Sequence, residues 1–418
     1  MSAISLISFI IVIALLLEAL KKESDLFSPA RVFSIIWISA IGLAELKLSW
    51  LQHEWTLYGW GMLLIGIFSF YLGVFIVFVI NLNRPMIPIS RLRIFYSENV
   101  VNKNKFLILI AILFLIYTGS YLANYLIEGF VPIFSNDPAR ARGEFGVFGI
   151  GLLLHAATAL IILIAEYITL IKMKRIFKYF LIFLILFIFV TYFFLLQRFN
   201  LMFAIISVLA FLYYSSNVIK PRYVVIFILV IVGLMYSVQF FRTASVASTY
   251  LNKIAHMKYN VKYAVFTEPY MYVVMNLENF TRAVEKLDSH TFGFYSFNFI
   301  TSLAGVKKMI AEYLHLNNFP YLNSSFNTYT MFWDYFRDFG VFGLSIIPFL
   351  MGTIISIIYN KLRTNPNLMN ISAYSICVFV IFISFFVNII GLLHFFFNVV
   401  VIMTITKIAQ NNFVKYNY

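Results

Sequence analysis

One cysteine, Cys377, stands in the 418 residues. A lone cysteine builds neither a disulfide framework nor a Cys-based metal site. It lies in the apolar run "SICVFVIFIS" and reads as a small core residue. Charge is also scarce. Asp, Glu, Lys and Arg make up 11% of the chain, where soluble domains carry roughly 25%. Metal and nucleotide signatures are missing as well: there is no H-E-x-x-H, no Cys/His cluster and no D-x-D. A metal-bound nucleotide-sugar donor is therefore excluded as an expectation, and no cofactor or metal is expected. The glycines of "GVFGIGLLL" (Gly146, Gly149, Gly151) follow no strand and open an apolar helix, which points to close helix packing. No internal repeat and no low-complexity tract is found.

What is present is apolar: 62% of the residues are hydrophobic. They come in uncharged runs near the roughly 20 residues that a helix needs to cross a bilayer. The runs predict eleven spans, at 3–20, 30–46, 57–81, 106–126, 147–171, 179–196, 201–217, 223–241, 339–359, 370–389 and 391–408. The fold class expected is an all-α polytopic membrane protein forming a single integral membrane domain over 1–418. Residues 242–338 form one large loop between the eighth and ninth spans. The N-terminal run lacks a basic leader and a small-residue cleavage site, so it is expected to stay as the first span.

The net charge of +14 could suggest nucleic acid, but its distribution argues against that partner. One set of short connections, including Arg91, Arg93, Lys172, Arg175 and Lys361, holds eighteen Lys and Arg. The opposite set holds four: Lys47, Arg140, Arg142 and Arg198. Basic residues mark the cytoplasmic side. The N-terminus is thus expected outside, the C-terminus inside, and the long loop outside.

Four arginines then fall on the outer face: Arg140 and Arg142 in "SNDPARARGEFG", Arg198 in "LLQRFNL", and Arg242 in "QFFRTASV". Each is disfavoured there, and a single one could be an interfacial anchor or pair with Asp137 or Glu144. Together they suit a lipid-linked pyrophosphate, because guanidinium forks bind phosphate oxygens bidentately. The loop segments "YNVKYAVFTEPYMYVVMNLENFTRAV" and "HTFGFYSFNF" are aromatic with interspersed charge, as in interfacial helices or sugar-stacking faces. In "NTYTMFWDYFRDFG", Asp334 and Asp338 are four apart on one helical face, with Tyr329 and Tyr335 as candidate glycan contacts. Glu144, Asp338 and His290 are the candidates for a base that takes the proton of an incoming hydroxyl, and the alternative role of Asp338 is to favour the helix N-terminus. Glu166, inside the fifth span, reads as a packed or near-interface group, with a functional membrane carboxylate as the alternative.

"QRFNLMFAIISVLAFLYY", the long outer loop, "NTYTMFWDYFRDFGVFGLSIIPFLMG" and "PARARGEFG" resemble the Wzy-type polymerases, which join O-antigen and oligosaccharide repeat units in bacterial envelopes. Gln197 departs from the small residue usual before the arginine. The resemblance implies a glycosyltransferase of the bacterial cytoplasmic (inner) membrane that acts on its outer face, with a chain-length regulator as a possible protein partner. The donor would be a growing glycan on undecaprenyl pyrophosphate, and the acceptor one lipid-linked repeat unit. Arg198 and Arg242 would hold the pyrophosphate, with Arg140 and Arg142 as further clamps. Two rivals stay open. One is an O-antigen ligase or other lipid-phosphosugar transferase, for which "QHEWT" offers His53 and Glu54. The other is a lipid-linked oligosaccharide flippase, which would place charges along a mid-membrane path.

Overall fold

The structure is a computed structural model. It describes residues 2–19, 21, 24–96, 101–216, 219, 247–287, 289–313 and 325–410. The expected eighth span at 223–241 and Arg242 lie outside the described residues.

The described chain is helical, and its only ladder contacts are two isolated bridges. In chain order the helices are α1 (Ala3–Ala19), α2 (Pro29–Ala44), α3 (Leu57–Ile80), α4 (Ile89–Tyr96), α5 (Lys103–Glu128), α6 (Pro138–Glu144), α7 (Ile150–Leu154), α8 (Ala156–Leu170), α9 (Arg175–Phe193) and α10 (Arg198–Ser215). After the undescribed stretch come α11 (Ala247–Ile254), α12 (Thr267–Lys286), α13 (Asn298–Leu303), α14 (Lys307–Tyr313), α15 (Met331–Thr364), α16 (Leu368–Ile383) and α17 (Leu393–Ala409). Local chemistry sets many of these boundaries. Thr56 caps α3 by accepting from Gly59 N, Asn102 caps α5 by accepting from Lys105 N, and Gly129 ends α5 in the left-handed region at φ 76°.

Six stretches among the described residues are long and apolar enough to cross a membrane: Leu57–Ile80, Lys103–Phe134, Ile150–Leu170, Arg175–Phe193, Arg198–Ser215 and Met331–Thr364. The protein is a multi-pass membrane protein. Four of the expected spans correspond to shorter apolar helices, α1, α2, α16 and α17, of 16 or 17 residues. At 1.5 Å per residue these reach about 25 Å, less than a hydrocarbon core of about 30 Å.

The chain divides into two compact units. The first comprises residues 1–84, 245–357 and 380–396. Here α2 packs on α1 and α12, and α12 also packs on α3. Aromatic rings fill the core: Phe33 stacks on Phe70 at 3.9 Å, and Trp37 on Phe332 at 4.6 Å. α3 and α15 approach so closely that a Cβ on Gly73 would collide with the Phe349 carbonyl oxygen, and one on Gly352 with the Phe70 oxygen. Small residues permit this backbone contact. α12, which the sequence suggested as an interfacial helix, is buried along most of its length, including Glu278, Asn279 and Phe280.

The second unit comprises residues 85–244, 358–379 and 397–418. α8 is its axis, buried almost throughout and packed on α5, α9 and α10. Glu166 is fully buried on α8 and accepts from Ser372 Oγ at 2.7 Å, so it is a packed group as expected.

Candidate functional site

In the second unit, α6 grows out of the sequence "DPARARGE". Pro138 stands at its first turn, and the Asp137 carboxylate accepts from Arg140 N at 3.1 Å. Arg140 then reaches one turn on, and its Nε donates to Glu144 Oε1 at 2.7 Å. Both partners are exposed, and the pair holds the Arg140 guanidinium above its ordinary value. Arg142 differs. It is half-buried, burial pulls its guanidinium below the ordinary value, and among the described residues no carboxylate pairs with it. Tyr192 opposes that lowering electrostatically.

Arg198 opens α10 and is 2% exposed. The chain reaches it through Leu196, a buried residue held at φ 57°. A non-glycine residue in the left-handed region is strained, and such strain gathers where a turn must aim a side chain. Residues 194–196 form the tight turn between α9 and α10.

These two arginine-bearing segments, over fifty residues apart in sequence, are brought together. Ile133 N donates to Phe194 O at 3.1 Å, and the Phe134 and Phe194 rings lie 5.2 Å apart. Phe130 and Phe145 close the base of the intervening loop at 5.8 Å. Beside them stands a polar group that sequence reasoning did not single out. His155 breaks the fifth apolar run between α7 and α8. Its Nδ1 lies 2.6 Å from the Tyr192 hydroxyl and 3.0 Å from Asn200 Nδ2, and Asn200 Nδ2 donates to the Tyr192 hydroxyl at 2.6 Å. An ionisable residue inside an apolar run was the signal available for His155.

The first unit gathers the remaining candidates. "HTFGFYS" docks onto "FRDFG". Asp338 is fully buried, and its oxygens accept from Thr291 Oγ1, from Tyr295 N at 3.2 Å and from Ser296 N at 2.6 Å. Its carboxylate is engaged in holding this segment. His290 is exposed, with Nδ1 3.3 Å from Arg337 O. Gly340, at φ 59°, breaks α15 here, so the Asp334/Asp338 turn is a short helix folded back from the long one. A Cβ at Gly340 would meet the His290 ring at 3.1 Å. Arg337 is buried over the Tyr295 and Trp333 rings at 4.7 and 5.6 Å. Tyr329 stacks on Trp333 at 4.8 Å, and the Tyr335 hydroxyl donates to Asn388 Oδ1 at 3.1 Å. Burial lowers the Lys307 ammonium, opposed by Asp334.

The connection between α2 and α3 contributes an ion pair that was also missed. Lys47 Nζ lies 3.0 Å from Glu278 Oε1, where Glu278 is fully buried on α12, and 4.8 Å from the Trp55 ring centroid. Burial raises the Glu278 carboxyl above the usual carboxylate range, and Lys47 opposes that rise. His53 and Glu54, the ligase-type candidates, stay exposed.

A family model for O-antigen polymerases matches residues 9–385. The chain belongs to the O-antigen polymerase family. No curated protein and no solved structure matches the chain. Membership identifies a membrane-embedded polymerase of polysaccharide biosynthesis and implies a lipid-linked sugar substrate. In this family member, Arg140, Arg142, Glu144 and Arg198 belong to one unit, whereas His290, Tyr329, Tyr335 and Asp338 belong to the other. Among the described residues, no three His, Cys, Asp or Glu side chains gather as a metal site.

Proposed function

We propose that this O-antigen polymerase joins undecaprenyl-pyrophosphate-linked oligosaccharide repeat units on the outer face of the bacterial cytoplasmic membrane, as a glycosyltransferase needing neither metal nor nucleotide sugar. The reading rests on one observation: the docking of the Arg142 loop on the turn that leads into Arg198. Arg142 is desolvated without a counter-charge among the described residues, so an anion is the partner its setting favours. Arg198 adds a second guanidinium where the positive end of α10 emerges.

In the reaction, the acceptor hydroxyl oxygen attacks the anomeric carbon of the donor glycan. The bond from that carbon to the pyrophosphate oxygen breaks, and its electron pair stays on the pyrophosphate. Fixed guanidinium donors stabilise that growing charge without reorganising. The hydroxyl proton passes to a base. Glu144, on the same short helix as the arginines, is the candidate standing in the arginine-bearing unit. His290 is the other acceptable base, because an Nδ1–H donated to Arg337 O leaves the Nε2 lone pair to accept. Asp338 is proposed to position the 291–296 segment. Arg242 is retained as a further clamp from the sequence reading. The eleven-span topology, the outer loop, the termini on opposite sides and a chain-length regulator as partner belong to the same proposal.

The test is a gel of surface glycan from a strain lacking the gene. A single repeat unit on its lipid anchor, with the long ladder gone, supports the polymerase. Full polymer stranded on undecaprenyl pyrophosphate identifies a ligase instead. Repeat units left on the cytoplasmic face identify a flippase and remove the proposal.

A further inference from the structure

In the first unit, the turn between α16 and α17 carries Asn388, which is 4% exposed. Its Oδ1 accepts from the Tyr335 hydroxyl at 3.1 Å. Its Nδ2 is buried and completes no hydrogen bond, and the group it faces is the Asp334 carboxyl. A buried amide N–H left in this state costs free energy unless a ligand takes it. Asp334 lies one turn before Asp338 on α15, and the two carboxyls are used differently. Asp338 is fully buried and accepts from Thr291, Tyr295 N and Ser296 N. Asp334 is half-buried, and apart from Asn388 no group among the described residues bonds to it. Arg337 and Lys307 act on it only through space. The segment that Asp338 holds closes on the same place. A Cβ at Gly391 would lie 2.9 Å from Tyr295 O and 3.2 Å from Asn388 Nδ2, so glycine lets the segment and the amide approach each other. Ser296, 7% exposed, adds a buried hydroxyl without a partner.

We propose that Asp334 and Asn388 clamp a hydroxyl group of the glycan on the lipid-linked substrate, with Ser296 as a further contact and Tyr335 as the positioning residue that holds the amide. The chemistry of the pair selects this ligand. A hydroxyl oxygen accepts from Nδ2 while its own hydrogen goes to the Asp334 carboxyl, so one group satisfies both. A phosphate oxygen would accept from Nδ2 and bring nothing for the carboxyl to accept. An ammonium would suit the carboxyl and leave the amide without an acceptor. The inference rests on the reading of the substrate as a lipid-linked oligosaccharide. The clamp binds the sugar, and no covalent bond changes there.

The experiment compares two probes on the purified full-length protein in lipid nanodiscs: the lipid-linked repeat unit extracted from the deletion strain, and undecaprenyl pyrophosphate alone. Wild type is expected to bind the first about tenfold more tightly. Asp334→Ala and Asn388→Ala are each expected to lose about tenfold on the repeat-unit lipid and nothing on the bare lipid. Asp334→Asn, which keeps an acceptor oxygen, is expected to fall between, as is Tyr335→Phe, which frees the amide to turn. In the wild type, a water-soluble carbodiimide is expected to label Asp334, and the repeat-unit lipid to protect it where the bare lipid does not. If folded Asp334→Ala and Asn388→Ala bind the repeat-unit lipid as wild type does, the clamp is overturned and the lipid-linked substrate stands. Equal wild-type affinity for the two probes, or equal labelling of Asp334 with either, overturns it too. If wild type binds neither probe, the reading of the substrate falls and the clamp with it. Should the alanine variants fail to fold, Asp334→Asn and the labelling of the wild type carry the test.

Discussion

Arg140 and Arg142 are two residues apart on one short helix, and their surroundings part them. Arg140 is exposed and paired with Glu144, an i,i+4 surface pair that water screens. Arg142 is half-buried, and among the described residues no carboxylate pairs with it. Arg142→Ala is therefore expected to cut polymer synthesis by about tenfold, and Arg140→Ala to leave it within about twofold, as read from ladder intensity at equal protein level. Equal effects of the two would contradict the distinction. Lys47 supports a stability prediction. Its removal strands a fully buried Glu278 carboxylate, a loss of about 3–5 kcal/mol in comparable buried pairs. Because burial raises the Glu278 carboxyl, the native state holds its proton to higher pH than the unfolded chain does. Stability from this group is thus greatest at acid pH and falls as pH rises through the window above the ordinary carboxylate range. Lys47→Met widens that window. Its melting temperature is expected to match wild type near pH 4 and to lag increasingly toward pH 8.

At the scale of elements, Gly340 decides how "FRDFGVFG" folds. The sequence reading placed Asp334 and Asp338 on one helical face at the mouth of a span. The structure keeps that face but turns the short helix back at φ 59°, against His290. Gly340→Ala meets a backbone that an L side chain rarely adopts and a ring at 3.1 Å. A cost of about 1–3 kcal/mol is expected, measured by thermal unfolding in detergent. The long apolar runs announced their helices because bilayer thickness imposes a length that composition alone reveals. The break at Gly340 was not legible: glycine in an apolar run reads equally as packing, and only the docked "HTFGFYS" segment requires the turn. His155 was passed over for the same reason, since its partners Tyr192 and Asn200 lie on other helices. The meeting of the Arg142 loop with the Arg198 turn depends on the Phe134–Phe194 contact, which no sequence period encodes.

For the whole molecule, the distribution of basic residues makes a claim about sidedness. Asn136 and Lys172 are both exposed and flank the same stretch of chain. Cys377 is buried, so the protein already lacks a reactive surface thiol. Asn136→Cys is expected to react with a membrane-impermeant maleimide in spheroplasts, and Lys172→Cys only after lysis. The opposite labelling would invert the orientation and move the arginines to the cytoplasmic face. Arg198 carries the central claim, that a buried guanidinium at the start of α10 serves polymerisation and not only the fold. The most direct measurement complements the deletion strain with Arg198→Ala and Arg198→Lys, and reads surface glycan beside the amount of protein in the membrane. The account predicts wild-type protein levels, no long chains from the alanine variant, and impaired synthesis from lysine, which lacks the planar fork. A normal ladder from a well-expressed Arg198→Ala protein would contradict it.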